Sequence, residues 1–236
     1  MNLWRARQLS FDDYCIVPSA ENRRRGIGLG KLLPLAIGLA LLLAVVLLYH
    51  GQLALSRWHY SAIADPLPPL PLWLNVDTGW RIVQQMMAQP WQIGPLLVVM
   101  LGVLVYPTLA SAISTLLLSI SFSLVLASQW SRVLPALNPT SFEHIAPLFK
   151  QDISFYIFRL PVLELVEFWL SGLFLFTLTA VALVYLLAGK SLSQGRFLGF
   201  SIPQQRHLYS LVSVLLFTTS VGHWLNRYEL LYSGQG

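Results

Sequence analysis

Apolar residues along the chain fall into four blocks, Leu32 to Leu53, Ile93 to Ala127, Phe168 to Ala188 and Leu208 to Leu225, with polar stretches between them. A helix on the surface of a soluble domain is apolar along one stripe, whereas these blocks are apolar on every face. A run of about 18 or more such residues predicts a membrane span, because a helix satisfies its own backbone hydrogen bonds inside hydrocarbon. Three blocks have the length of one crossing. The second, from Ile93 to Ala127, would be roughly 52 Å long as one helix, against a hydrocarbon core of about 30 Å. It lies within fifty residues, between Arg81 and Arg132, that carry no Asp, Glu, Lys, Arg or His.

Charge asymmetry divides this long block. Residues 1 to 31 hold Arg5, Arg7, Arg23, Arg24, Arg25 and Lys31, and residues 190 to 207 hold Lys190, Arg196 and Arg206, which makes nine basic residues in 49. Segments 54 to 91, 128 to 167 and 226 to 236 hold six in 89. The positive-inside rule puts the first group in the cytoplasm and the second outside. Both flanks of the long block then lie outside, so it crosses an even number of times. A helical hairpin turning near Tyr106, Pro107 and Thr108 meets this condition, since proline removes a backbone donor; a re-entrant pair has the same parity.

The expected fold is an all-α polytopic transmembrane bundle. Residues 1–31 form a cytoplasmic arm, spans lie at about 32–53, 92–107, 108–128, 166–188 and 208–225, and residues 226–236 form an external stub. Interfacial helices are expected in the external loops. Asp65 to Trp73, rich in proline, predicts a polyproline II spacer, and Thr78 to Gln89 a short interfacial helix. Residues 128–167 mix aromatic and charged side chains as a headgroup-level belt does.

Composition narrows the function. Hydrophobic residues make up 56% of the 236 and charged residues 11%, with mean hydropathy +0.63, which excludes an ordinary soluble enzyme. The net charge of +5 is spread along the chain rather than clustered on a polar surface, so no nucleic-acid partner is expected. The lone Cys15 excludes an intramolecular disulfide. Gly26, Gly28 and Gly30 follow no strand, and the Gly189, Lys190, Ser191 triplet lacks the glycine a phosphate loop needs, because Val184 stands there. No catalytic or metal-ligand spacing appears, and no cofactor is expected.

Small residues mark packing faces, because helices in lipid associate through close backbone approach. Ala36, Ala40 and Ala44 form one such stripe, and Ser111, Thr115, Ser119, Ser123 and Ala127 form another. The candidate polar sites are few. Glu164 and Glu167, one turn apart after Pro161, either cap a helix start or share a proton or cation, and His144 and Asp152 join them only if their loop folds back. His223 lies near the end of the last span, followed by Arg227 and Glu229. An interfacial placement is the plain reading of His223, with a buried contact to another helix as the alternative, and Arg227 and Glu229 end the span as opposite charges in the headgroups.

Several motifs from Ser128 onward resemble uncharacterised protein family 0182, a bacterial membrane family with cyanobacterial members. They are Ser128-Gln129-Trp130, PLFKQDISFYIFRLP from Pro147 to Pro161, Arg206-His207-Leu208, and WLNRYELLYS from Trp224 to Ser233. The likeness is clearest over about 120–233 and fainter over 31–92. The family pattern usually has glycine where this chain has Lys150. The resemblance implies a longer protein, with about seven membrane helices and a large extracytoplasmic portion after the RYELLYS motif, of which this chain would be a fragment. It implies no established activity. The expected role is a membrane anchor or scaffold in the bacterial cytoplasmic membrane, with the thylakoid as the alternative membrane. The expected partners are the lipid bilayer, other membrane proteins or a second copy. A transporter or channel subunit, with Glu164, Glu167 or His223 in a polar pathway, is the alternative function.

Overall fold

The structure is a computed structural model that describes residues 4–6, 8, 27–59, 84, 90–187, 196–197 and 199–229. Cys15, the Arg23–Arg25 cluster, the proline-rich segment, the Gly189–Ser191 triplet and the last seven residues lie outside the described residues. So does the expected interfacial helix at 78–89, apart from the helical Gln84.

Among the described residues, the fold is carried by the α-helices α1 (Leu29–His59), α2 (Ile93–Val105), α3 (Pro107–Ser128), α4 (Trp130–Leu137), α5 (Leu160–Leu187) and α6 (Ile202–Glu229). A π-helical turn, Phe155–Arg159, leads directly into α5. The expected all-α bundle is therefore present, and among the described residues four helical segments are long and apolar enough to cross a membrane: Leu32–Leu55, Pro107–Ser128, Phe155–Leu187 and Ile202–Tyr228. The fifth apolar stretch, Pro90–Val105, is shorter, at about 24 Å for its 16 residues. It does not reach across a hydrocarbon core of about 30 Å unaided.

The long apolar block breaks at one residue. Tyr106 leaves the helical region (φ −128, ψ 68), and Pro107 opens α3 at a position where its missing N–H costs nothing. The carbonyl of Gly102 accepts the Tyr106 N–H at 2.8 Å, and the carbonyl of Tyr106 accepts the Ala110 N–H at 2.9 Å. The chain turns sharply enough that a Cβ on Gly102 would stand 3.9 Å from that of Ala110.

Two ends of the bundle are distinguished by what meets there. At one, strand β1 (Ile27–Gly28), just before α1, pairs antiparallel with β2 (Arg196–Phe197), between α5 and α6. This short ladder lay outside the sequence expectation, and it ties together the two basic-rich segments. At the other end, Tyr156 and Leu160 pack on Leu225 and Tyr228. The helix after α3, α4, packs near the Phe155–Arg159 turn at that same end. Helices α5 and α6 therefore run antiparallel, with α1 packed along α2, α3 and α5.

Helix-specific chemistry sets the boundaries. Gln204 reaches back over the start of α6, where the Ser201 N–H donates to Gln204 Oε1 at 3.1 Å, the side-chain-to-backbone half of a capping box. At the start of the Phe155–Leu187 segment, Pro161 would press its ring on the carbonyl of Ile157 in a regular α-helix. The wider π-turn over Phe155–Arg159 relieves this crowding, and the Leu160 N–H reaches back to the Phe155 carbonyl.

The stripe of Ala36, Ala40 and Ala44 is buried, at 2%, 0% and 0% exposure, and Ala40 packs in the core with Leu43, Val46, Phe176, Ala180 and Leu183. The serine stripe requires a correction. Ser111 is buried, but Ser119 and Ser123 are exposed, and the buried face of α3 is Ser111, Ser114, Leu118, Ser121, Phe122 and Val125. Steps of four residues overshoot a helical turn by about 40°, so the stripe winds off the interface. The exposed hydroxyls bond their own backbone instead, Ser119 to the Thr115 carbonyl and Ser123 to the Ser119 carbonyl, each at 2.9 Å.

Candidate functional site

Polar side chains inside an apolar bundle are costly, and two histidines and one carboxylic acid are buried among the described residues: His50, His207 and Glu167. Glu167, one of the candidates read from the sequence, lies on α5 and faces α6. Its Oε1 accepts the Ser171 hydroxyl proton at 2.6 Å, one turn along the same helix, and Oε2 has no hydrogen-bond partner among the described residues. The carboxyl lies where α6 carries Gly222: a Cβ there would stand 2.8 Å from Oε1 and 2.9 Å from Cδ. Glycine thus leaves the space that the carboxyl occupies.

His50 repeats this arrangement on the α1 side of α5. Its Nδ1–H donates to the Val46 carbonyl at 2.7 Å, and its ring packs on Phe122 and Phe168 with centroids at 4.9 and 5.4 Å. A Cβ on Gly172 would stand 2.7 Å from Nε2. Glu167 of α5 is thus set against Gly222 of α6, and His50 of α1 against Gly172 of α5, each ionisable group facing a glycine on the neighbouring helix. Sequence reasoning missed His50, Ser171, Gly172 and Gly222. An ionisable residue inside the first apolar block was the available signal for His50.

The other candidates do not converge on this site. Glu164 is half-buried, and His223 is exposed on α6, close enough to Glu167 to act on it electrostatically. The side chain of Glu229 lies outside the described residues. Arg227 is exposed and lies over the rings of Trp224, Tyr228 and Phe149 at 4.1, 4.6 and 5.6 Å, while its Nη2–H donates to the Tyr228 hydroxyl at 2.6 Å.

His144 and Asp152 are held in a separate loop fold. The Asp152 carboxylate accepts the Ser141 hydroxyl at 2.6 Å and the N–H groups of Ser154 and Phe142 at 2.7 and 3.3 Å. The Ser141 hydroxyl and these N–H donors hold its carboxyl well below the usual carboxylate range. The His144 carbonyl accepts the Ile153 N–H, and Lys150 turns the loop in the left-handed region at φ 52, its N–H bonded to the Ala146 carbonyl at 2.9 Å. The tight turn forms despite the lysine. The loop returns Phe149 and Phe155 to Tyr228, at ring distances of 4.9 and 5.2 Å, so the DISFYIFRLP and WLNRYELLYS motifs pack against each other.

The fold and this site define a helical membrane protein with buried polar groups set between its long helices. The chain belongs to the Uncharacterised protein family (UPF0182), whose family model matches residues 35–236. The match thus includes the segment where the sequence likeness was faint. A UPF0182 protein of Nostoc sp. is 40% identical over 205 residues, covering 87% of this chain and 20% of that protein. UPF0182 proteins of Trichodesmium erythraeum and Synechocystis sp. are each 36% identical, over 222 and 223 residues; both alignments cover 93% of this chain, and 22% and 21% of the relative. The chain spans about a fifth of the length of these curated relatives. No solved structure matches it.

Proposed function

We propose that this chain is the membrane-embedded anchor of a UPF0182 protein, with residues 1–31 and 190–207 cytoplasmic and the aromatic end external, in the bacterial cytoplasmic membrane. The observation that carries this reading is the apolar, closely packed interior of α1, α3 and α5 beneath an apolar rim that water would not tolerate. Val98, Phe217 and Leu109 are 71%, 69% and 60% exposed, which suits hydrocarbon and not solvent. The tying of the two basic-rich segments by the β1–β2 ladder supports the orientation. In this topology α2 and α3 form the hairpin, and the shorter α2 crosses with local thinning of the bilayer.

Cysteine accessibility tests the proposal in the full chain, with Cys15 replaced and single cysteines at Pro107, Gln194 and Gln235. Positions 107 and 194 are expected to react only from the cytoplasm and 235 only from outside. Labelling of position 107 from outside overturns the hairpin.

The transport reading has one observation in its favour, the buried carboxyl oxygen of Glu167 that lacks a partner among the described residues. A cysteine in place of Glu167 separates the two functions. In a dry anchor it stays unreactive toward a water-soluble thiol reagent from either side, whereas a polar pathway exposes it.

A further inference from the structure

At the ladder end, the Tyr185 hydroxyl and His207 Nδ1 are 2.7 Å apart, joining the last turns of α5 to the second turn of α6. His207 is 9% exposed, and its Nε2 has no hydrogen-bond partner among the described residues. When the tyrosine hydroxyl donates to Nδ1, the ring proton sits on Nε2, and a buried N–H is left seeking an acceptor. The surroundings are basic. Ala6 is fully buried against Val181, Val184, Tyr185 and Leu211, which brings its neighbour Arg5 to the pair, close enough to act electrostatically on His207. Arg206 is exposed beside it.

An unmet donor, two arginines and a position at the end of two membrane helices call for an acceptor that carries negative charge at headgroup depth. We propose that Arg5, Arg206 and His207 bind a phosphate group, that of an anionic lipid headgroup, and so fasten residues 4–6 to the ends of α5 and α6. The Arg206-His207-Leu208 motif then has a ligand, where the anchoring role alone left it unexplained.

The test uses the full chain, purified in detergent and stripped of lipid, with native mass spectrometry counting bound phosphatidylglycerol against phosphatidylcholine. The wild-type chain is expected to retain phosphatidylglycerol preferentially, and Arg5→Gln and His207→Phe each to weaken it by about tenfold, the effect of losing one charge-assisted hydrogen bond. His207→Gln, which keeps an N–H donor, is expected to retain more than His207→Phe. Arg159→Gln, at the opposite end, serves as the control and is expected to change nothing. Arg5 is exposed, so its variant tests the site even if His207→Phe fails to fold. Equal retention of the two lipids, or unchanged binding in Arg5→Gln, overturns the proposal. Displacement of the lipid by inorganic phosphate at comparable concentration overturns the headgroup as the source and assigns the site to the free anion.

Discussion

Replacing Gly222 by alanine places a methyl group 2.8 Å from Glu167 Oε1 and 2.9 Å from its Cδ. Ordinary contact needs about 3.4 Å or more, so either α6 moves away from α5 by about half an ångström or the carboxyl swings and stretches its 2.6 Å bond from Ser171. Overpacking of this kind costs about 1–3 kcal/mol, and alanine returns up to about 1 kcal/mol through its higher helix propensity. The expected net loss is about 1–2 kcal/mol. In a Glu167→Ala background the obstacle is gone, and Gly222→Ala should be neutral or stabilising by up to about 1 kcal/mol. The coupling energy in the double-mutant cycle is therefore about 2 kcal/mol, read from reversible unfolding of the detergent-solubilised chain in a denaturing surfactant. Equal costs of Gly222→Ala in both backgrounds would refute the idea that glycine makes room for the carboxyl.

The same logic applies to Gly172→Ala, whose methyl would stand 2.7 Å from His50 Nε2 and 3.1 Å from Phe122 Cζ; a loss of about 1–3 kcal/mol is expected, substantially restored by pairing it with His50→Ala. Lys150→Gly removes a left-handed strain at φ 52 and should stabilise the 141–156 loop by about 1 kcal/mol, seen as slower proteolysis there. Asp152 has a folded pKa below its unfolded value of about 3.9, so its contribution is present above that pH and is lost as pH falls through the folded value. Amide exchange at Phe142 and Ser154 should accordingly quicken, relative to the intrinsic rate, as pH drops below about 3.9, and Asp152→Asn should show this faster exchange already at neutral pH.

Much of this was legible in the chain before any coordinates. Continuous apolar runs predicted membrane helices because hydrocarbon imposes one rule on every position, that the backbone bond itself and the side chains be apolar. Pro107 marked the break after Tyr106 because a ring without an N–H has few places in a helix. The alanine stripe on α1 was read correctly because over two steps its drift stays within one face, whereas the longer serine stripe on α3 wound out of it. Glu167 was a named candidate, yet its pairing with Glu164 rested on spacing along one helix.

Only the tertiary structure decided which helix each polar group faces. That Glu167 meets Gly222, that His50 meets Gly172, that Ala6 packs with Tyr185 and that Tyr185 meets His207 are contacts between residues far apart in sequence, fixed by how antiparallel helices slide and rotate against one another. Periodicity gives each helix a face but not the neighbour that the face will meet. The order and length of the apolar blocks therefore determined the helical bundle, and close approach of backbones at two glycines determined where Glu167 and His50 could be buried.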